Sequence, residues 1–363
     1  MTFRILAAAR LLALACSTAA AAVSAARAQP VPATVAATAR LDVPVIARGL
    51  GTVQAYNSVL VRARVDGTLD EVRVTEGQEV KAGEVIAEID PRPYRATLEQ
   101  AVAKRASDVA MLTNARLDLT RYSNLARNEF ASRQSVDTQQ AAVAQAEAAI
   151  QGDEAAIAAA ELNLGFCEIR APFDGRVGLR LIDPGNLIHA TDQQGIITLA
   201  QVHPIAVVFT LPQDALPAIV DAMRAGKLPA EASDRGAPLG DGALLTPDNT
   251  IDATTGTIRM KAVFQNDDRK LWPGQFVDVA LRVGTRTNAL TVPDAAVQHG
   301  PDGLYVYRVG ADRTVQRAPV TVGVQEGGVA EVLAGLSDGD EVVTEGQSRL
   351  QAGSKVALAE KQG

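Results

Sequence analysis

The 363-residue sequence holds only two cysteines, three histidines and four methionines. Cys16 falls inside an N-terminal stretch that reads as a secretory leader, so the mature chain keeps Cys167 alone. One thiol forms no internal disulfide even in an oxidising compartment, and stability has to come from packing. His189, His203 and His299 are scattered, and no Ser-centred elbow, Cys/His ligand spacing or phosphate loop accompanies them. The pattern supports no catalytic residue, metal ligand or cofactor site, and the chain reads as something other than an enzyme. Past the leader, no run approaches about 20 consecutive apolar residues, which excludes a spanning helix from the mature chain. Attachment to a membrane then has to come through partners or a lipid.

Residues 1–28 carry the marks of a signal peptide. Arg4 and Arg10 lie in the charged region, an apolar run follows from Leu11 to Val23, and Ala26-Arg27-Ala28 forms an A-x-A cleavage site before Gln29. A lipoprotein signal ending at Cys16 is the competing reading, although Ala13-Leu14-Ala15 places leucine one position from where a lipobox wants it. Removing three arginines with the leader leaves 32 basic against 42 acidic side chains, a net charge of −10. So acidic a chain is a poor nucleic-acid binder. The 47% hydrophobic content is enough to bury cores in several domains.

An internal repeat organises what remains. Arg64-Val65-Asp66-Gly67 is followed ten residues after its glycine by Gly77, and Pro172-Phe173-Asp174-Gly175 is followed at the same spacing by Gly185. Each Asp-Gly pair sits between β-rich runs, where a tight turn favours positive φ. The run from Glu76 to Asp90 resembles the first half of lipoyl and biotinyl carrier domains, and the second copy resembles the other half. The halves span 61–91 and 167–200. In a carrier domain a short hairpin bearing the modified lysine joins them; here Pro91 to Glu168 intervene. Lys81, the lysine at hand, reads as a solvated turn residue, with a prosthetic-group carrier as the alternative.

The inserted segment, 92–166, predicts a helical hairpin. Residues 93–126 lack glycine, and Leu98, Val102, Val109, Leu112 and Leu119 recur at helical spacings. Across 133–164, Val136, Val143, Ile150, Ile157 and Leu164 each stand seven apart with alanine between them, a coiled-coil seam. Arg127 to Ser132 break the pattern, and Ser132 is placed to cap the second helix. At ~1.5 Å per residue each arm reaches roughly 50 Å, too thin a rod to enclose a pocket.

The remainder is β-rich. Short alternating runs from Ile205 to Val283, interrupted by a helix near Asp214 to Ala225, suggest a small antiparallel barrel over 201–286. A second compact β module follows over 287–357, with a tail at 358–363. Residues 29–40 read as a linker and 41–60 as strands contributed to the later domains.

The tip run Arg121-Tyr122-Ser123-Asn124-Leu125-Ala126-Arg127-Asn128-Glu129-Phe130-Ala131-Ser132 resembles the Arg, Leu and Ser motif with which efflux adaptors engage a TolC-like outer-membrane channel. Ile251 to Ile258 and Leu271 to Val277 resemble two segments of resistance-nodulation-division (RND) pump adaptors. Together these features resemble the membrane fusion protein family, most closely its MdtA-like multidrug-efflux branch. The resemblance implies a mainly β, elongated, multi-domain adaptor with a long coiled-coil hairpin. It implies a periplasmic protein peripheral to the inner membrane, a homo-trimer or hexamer, partnered by a proton-driven RND transporter docked on the 287–357 module and by the outer-membrane channel. In this reading Arg121 donates to carbonyls of the channel, Leu125 fills an apolar notch and Ser132 hydrogen-bonds across; otherwise Leu125 is seam core and Ser132 only a cap. An adaptor of an ABC-type exporter stays open. Met111, Met223 and Met260 are too few for soft-metal export, which favours organic cargo.

Overall fold

A computed structural model describes residues 30–358. The expected leader, the candidate lipid site at Cys16 and nearly all of the C-terminal tail lie outside the described residues. The chain forms two compact units: one comprises the chain through Arg48, Asp214–Pro229 and the chain from Ala280, and the other Gly49–Gln213 and Ala230–Val279.

In the second unit the two half-repeats build two four-stranded sheets, and each sheet takes strands from both halves. One runs in the order Ser58–Val61, Ile197–Ala200, Gly175–Arg180, Glu79–Val80, so residues 58–60, expected among the strands given to the later domains, pair here instead. The other runs Glu168–Arg170, Val85–Ile89, Gly67–Val72, Leu187–Ile188. Leu69, Ile86, Ile89, Ile196, Ile197 and Leu199 are fully buried in a shared core, so neither half has a complete interior alone. The Asp-Gly pairs are not hairpin turns. Each glycine opens a strand: Gly67 at φ +157°, and Gly175 where an added Cβ would lie 2.9 Å from the Ala200 carbonyl oxygen. The left-handed positions of the repeat are Gly77 and Gly185, at φ +79° and +91°.

The aspartates tie the halves to each other. Ala190 N–H donates to Asp66 Oδ1 and Ala82 N–H to Asp174 Oδ1, both at 2.7 Å. Gly185 N–H reaches the Leu69 carbonyl at 2.7 Å, and Gly77 N–H the Val177 carbonyl at 2.9 Å. A constant offset separates the members of each equivalent pair, so the repeat is a two-fold pseudosymmetric clamp.

Two helices run between the halves, α1 (Arg92–Arg127) and α2 (Arg133–Gly165). On α2, Val136, Val143, Ile150, Ile157 and Leu164 are half-buried and Ala160 is buried. On α1 the expected face needs correction. Leu98, Leu112 and Leu119 face inward, but Val102 and Val109 are 50% and 39% exposed. The buried stripe passes through Ala101 and Asp108 instead. A polar side chain in the seam displaces the apolar periodicity by one residue. Lys104 Nζ stands 2.6 Å from Asp108 Oδ2 and 3.8 Å from Asp153 Oδ1, while Asp153 Oδ2 is buried with no hydrogen-bond partner among the described residues.

At the base of α1 the Asp90 carboxylate accepts the Arg92 N–H at 3.1 Å and its guanidinium at 2.7 Å. These bonds hold the Asp90 carboxyl at about 2, below its ordinary 3.8. Tyr94 Oη donates to the Asp66 carbonyl at 2.6 Å and so fastens the first turn of α1 to the clamp.

The same unit contains an antiparallel sheet. Ile205–Pro212 pairs with Thr257–Phe264 on one side and, through Ile205↔Ala55 to Phe209↔Gly51, with the C-terminal part of Ala39–Ala55 on the other. Phe209, Leu211, Met260 and Phe264 fill its interior.

The other unit holds a short helix, α3 (Leu216–Ala225), and a sheet in which Val31–Ala37 lies between Glu341–Glu345 and Val356–Leu358. Of the stretch expected as a linker, 29–40, the described part is not one: Val31–Ala37 completes this sheet and Ala33 is buried in its core. Within this unit, among the described residues, one core gathers around Val306 and Val342 and another around Tyr307, whose hydroxyl donates to the Leu350 carbonyl at 3.1 Å.

Two predictions follow from the hairpin. Replacing Asp153 by Leu removes a buried carboxylate oxygen without a partner and leaves the Lys104–Asp108 pair intact; the helical melt should shift upward by about 1 kcal/mol. A downward shift would show that the carboxylate is satisfied. Because the folded-state value of Asp90 is depressed, its stabilising effect is complete above its unfolded value, near 4, and is lost as pH falls towards about 2. Asp90→Asn should flatten that part of the melting-temperature profile between pH 4 and 2.

Candidate functional site at the hairpin tip

The tip is shaped by backbone bonding at the end of α1. The Leu125 carbonyl accepts the N–H groups of Asn128 at 3.1 Å and Phe130 at 2.9 Å, which closes the last turn. Glu129 takes a left-handed conformation at φ +64°, costing about 1 kcal/mol for a residue with a Cβ, and the chain reverses there. Ser132 then opens α2 in extended geometry, and its hydroxyl oxygen accepts the Ser135 N–H at 3.1 Å. The Ser132 and Ser135 hydroxyls are also hydrogen-bonded to each other at 2.9 Å.

Arg121 and Leu125 stand four residues apart on one face of α1. Arg121 is exposed, with Nη1 2.7 Å from Asp118 Oδ1, an i,i+3 pair that orients the guanidinium. Leu125 is 38% exposed and so only partly engaged in the seam. Ser132 lies across the turn, with its hydroxyl used as a cap. The sequence reading gave no role to Phe130, which is 82% exposed, the largest exposure among the large apolar side chains of the described residues. An aromatic side chain inside a short polar turn between two helices is the signal that could have marked it.

Elsewhere the candidate chemistry is thin. Lys81 lies in an exposed turn, where its N–H donates to Glu84 Oε2 at 3.0 Å; its counterpart in the second half, His189, makes the same bond to Asp192 at 2.7 Å. The position thus serves to close a turn in both halves. Cys167 is buried, and burial pushes its thiol up. Among the described residues no group of three His, Cys, Asp or Glu side chains is placed to hold a metal, and no helix is long and apolar enough to cross a membrane.

A domain whose halves close only on each other, with a long two-helix arm inserted between them and β modules following, defines a class of adaptor. Comparison with known proteins agrees with that class. Residues 57–200 match the barrel-sandwich hybrid domain of RND membrane fusion proteins, 204–285 their β-barrel domain, and 289–358 the C-terminal permuted SH3-like domain of YknX. The multidrug resistance protein MdtA of Cronobacter turicensis is 48% identical over 331 residues, covering 90% of this chain and 80% of that one. MdtA of Escherichia coli O6:H1 is 47% identical over 340 residues, covering 93% and 82%. Among solved structures, MacA from Actinobacillus actinomycetemcomitans shares the fold with a TM-score of 0.62 at 23% identity, over 85% of this chain and 99% of that one. A MacA–MexA chimera carrying the Pseudomonas aeruginosa MexA α-hairpin domain follows at 0.55 and 23%, over 83% and 96%.

The chain belongs to the membrane fusion protein family of RND pumps, in its MdtA-like branch. It is an efflux adaptor subunit, which sets aside the prosthetic-group carrier.

The cap sets an expectation for Ser132. Ser132→Ala should lower the stability of the hairpin by about 1 kcal/mol in a helical melt, while Ser132→Asn should retain most of it. Equal melts for Ser132→Ala and the unsubstituted protein would show that the hydroxyl is not needed as a cap.

Proposed function

We propose that the chain works in the periplasm, peripherally attached to the inner membrane, as the link between a proton-driven RND transporter and a TolC-like outer-membrane channel in multidrug efflux. It assembles as a homo-trimer or hexamer, docks on the transporter through the module at 287–357, and meets the channel through Arg121, Leu125 and Ser132. The observation that carries this reading is the exposed tip. A cation oriented by Asp118 and a leucine left partly outside the seam occupy one face of α1 at the end of a two-helix arm. Arginine offers several N–H donors in a planar fork, suited to carbonyl and carboxylate groups at the ends of helices. Ser132 supports the site by holding the start of α2 in place.

The name shared by the MdtA relatives, multidrug resistance protein, supports organic compounds as cargo. Met111, Met223 and Met260 supply too few thioethers for a soft-metal route.

A photo-reactive residue at position 125, placed in the cell envelope, should crosslink to an outer-membrane channel. Crosslinks confined to the chain's own body would overturn the tip assignment. Arg121→Glu should abolish drug resistance while leaving the melt and capture of the transporter unchanged. Recovery of an ATP-driven exporter in place of a proton-driven one would replace the RND transporter with an ABC-type partner.

A further inference from the structure

We propose that Phe130 is the apolar anchor of the tip, a contact residue beyond Arg121, Leu125 and Ser132; this rests on the channel-contact reading above. Three observations lead to it. Phe130 is 82% exposed, and nothing in the hairpin covers it. Its backbone is fixed on both sides: its N–H is bonded to the Leu125 carbonyl at 2.9 Å, Glu129 before it holds the left-handed reversal, and Ser132 after it caps α2. The ring is thus presented by an ordered turn. Finally, Ser132 already bonds to both the N–H and the hydroxyl of Ser135, so the hydroxyl is largely spent inside the hairpin.

A phenyl ring held in water contributes no burial to its own fold, whereas on docking its face and edge leave water together. Aromatic side chains on rigid backbone are the usual anchors of protein interfaces, with arginine beside them and near-neutral contacts around. The tip has that composition: Phe130 and the partly exposed Leu125 are joined through one hydrogen bond, and Arg121 stands one turn back along α1. The matching partner surface is an apolar notch that takes Phe130 and Leu125, rimmed by carbonyl or carboxylate oxygens that accept from Arg121. Phe130 supplies the affinity there, and Arg121 the orientation.

The test uses the full-length chain in the cell envelope with its transporter, as Phe130→Ala, Phe130→Leu and Arg121→Glu, each measured for channel capture, transporter capture and melting. Phe130→Ala should reduce channel capture about tenfold or more, with transporter capture and melting unchanged; Phe130→Leu should recover most of the loss. A photo-reactive residue at 130 should crosslink to the channel. Undiminished capture by Phe130→Ala, with capture lost in Arg121→Glu, would overturn the anchor while leaving the channel-contact reading standing. Crosslinks from position 130 to a second copy of this chain would also overturn it. Absence of channel crosslinks from both 125 and 130 would remove the reading on which the proposal rests.

Discussion

Asp66 in the first half-domain accepts the N–H of Ala190 in the second, and Asp174 in the second accepts that of Ala82 in the first, so each half supplies the acceptor that closes the other. A charged acceptor makes these bonds stronger than neutral ones, and both carboxylates point across the divide between the halves. The shared core goes with this exchange, since in each sheet the two central strands come from one half and are flanked by strands from the other side of the hairpin, so that Leu69, Ile86, Ile197 and Leu199 are buried together. A domain closed in this way can carry a long insertion. The ends of the insertion return to one place, and the entropy of closing a loop grows only slowly with its length.

The hairpin depends on the clamp at its base and on its own seam along its length. Tyr94 bonds back to the Asp66 carbonyl, and Asp90 restrains the entry to α1. Alanines and half-buried aliphatic side chains bring α1 and α2 together, and the polar group of Lys104, Asp108 and Asp153 interrupts that dry contact. Arg116–Glu147 and Arg105–Glu154 add exposed pairs across the two helices, at 2.7 and 2.8 Å. Exposed pairs of this kind contribute little to stability, about 0–1 kcal/mol each, but they match only one alignment of the helices. An ordered arm matters for an adaptor, because a tip held by backbone bonds and a cap presents its side chains with little entropy left to lose on docking.

Legibility varied with how local the deciding interactions are. The seam of α2 could be read directly, because Val136 through Leu164 repeat at seven with little polar interruption. The seam of α1 was displaced because Asp108 occupies a buried position that a hydrophobicity pattern assigns to an apolar residue. Val31–Ala37 looked like a linker because its partners, Glu341–Glu345 and Val356–Leu358, lie at the far end of the chain. At the tip, Arg121, Leu125 and Ser132 were named from the resemblance to the adaptor tip motif, and the cap by Ser132, expected from the break before the second helix, is seen in its bond to Ser135, whereas Phe130 emerged only from its exposure.

The sequence by itself determined the repeat, the presence and approximate ends of the two helices, and the reversal between them, since these rest on periodicity, capping and interactions between near neighbours. Tertiary structure alone decided which residues of α1 face α2, which glycine positions need a left-handed backbone and which a close approach, and that residues 31–37 are a strand. Those outcomes depend on pairings between segments distant in the chain, whose free energy is realised only when both partners are in place.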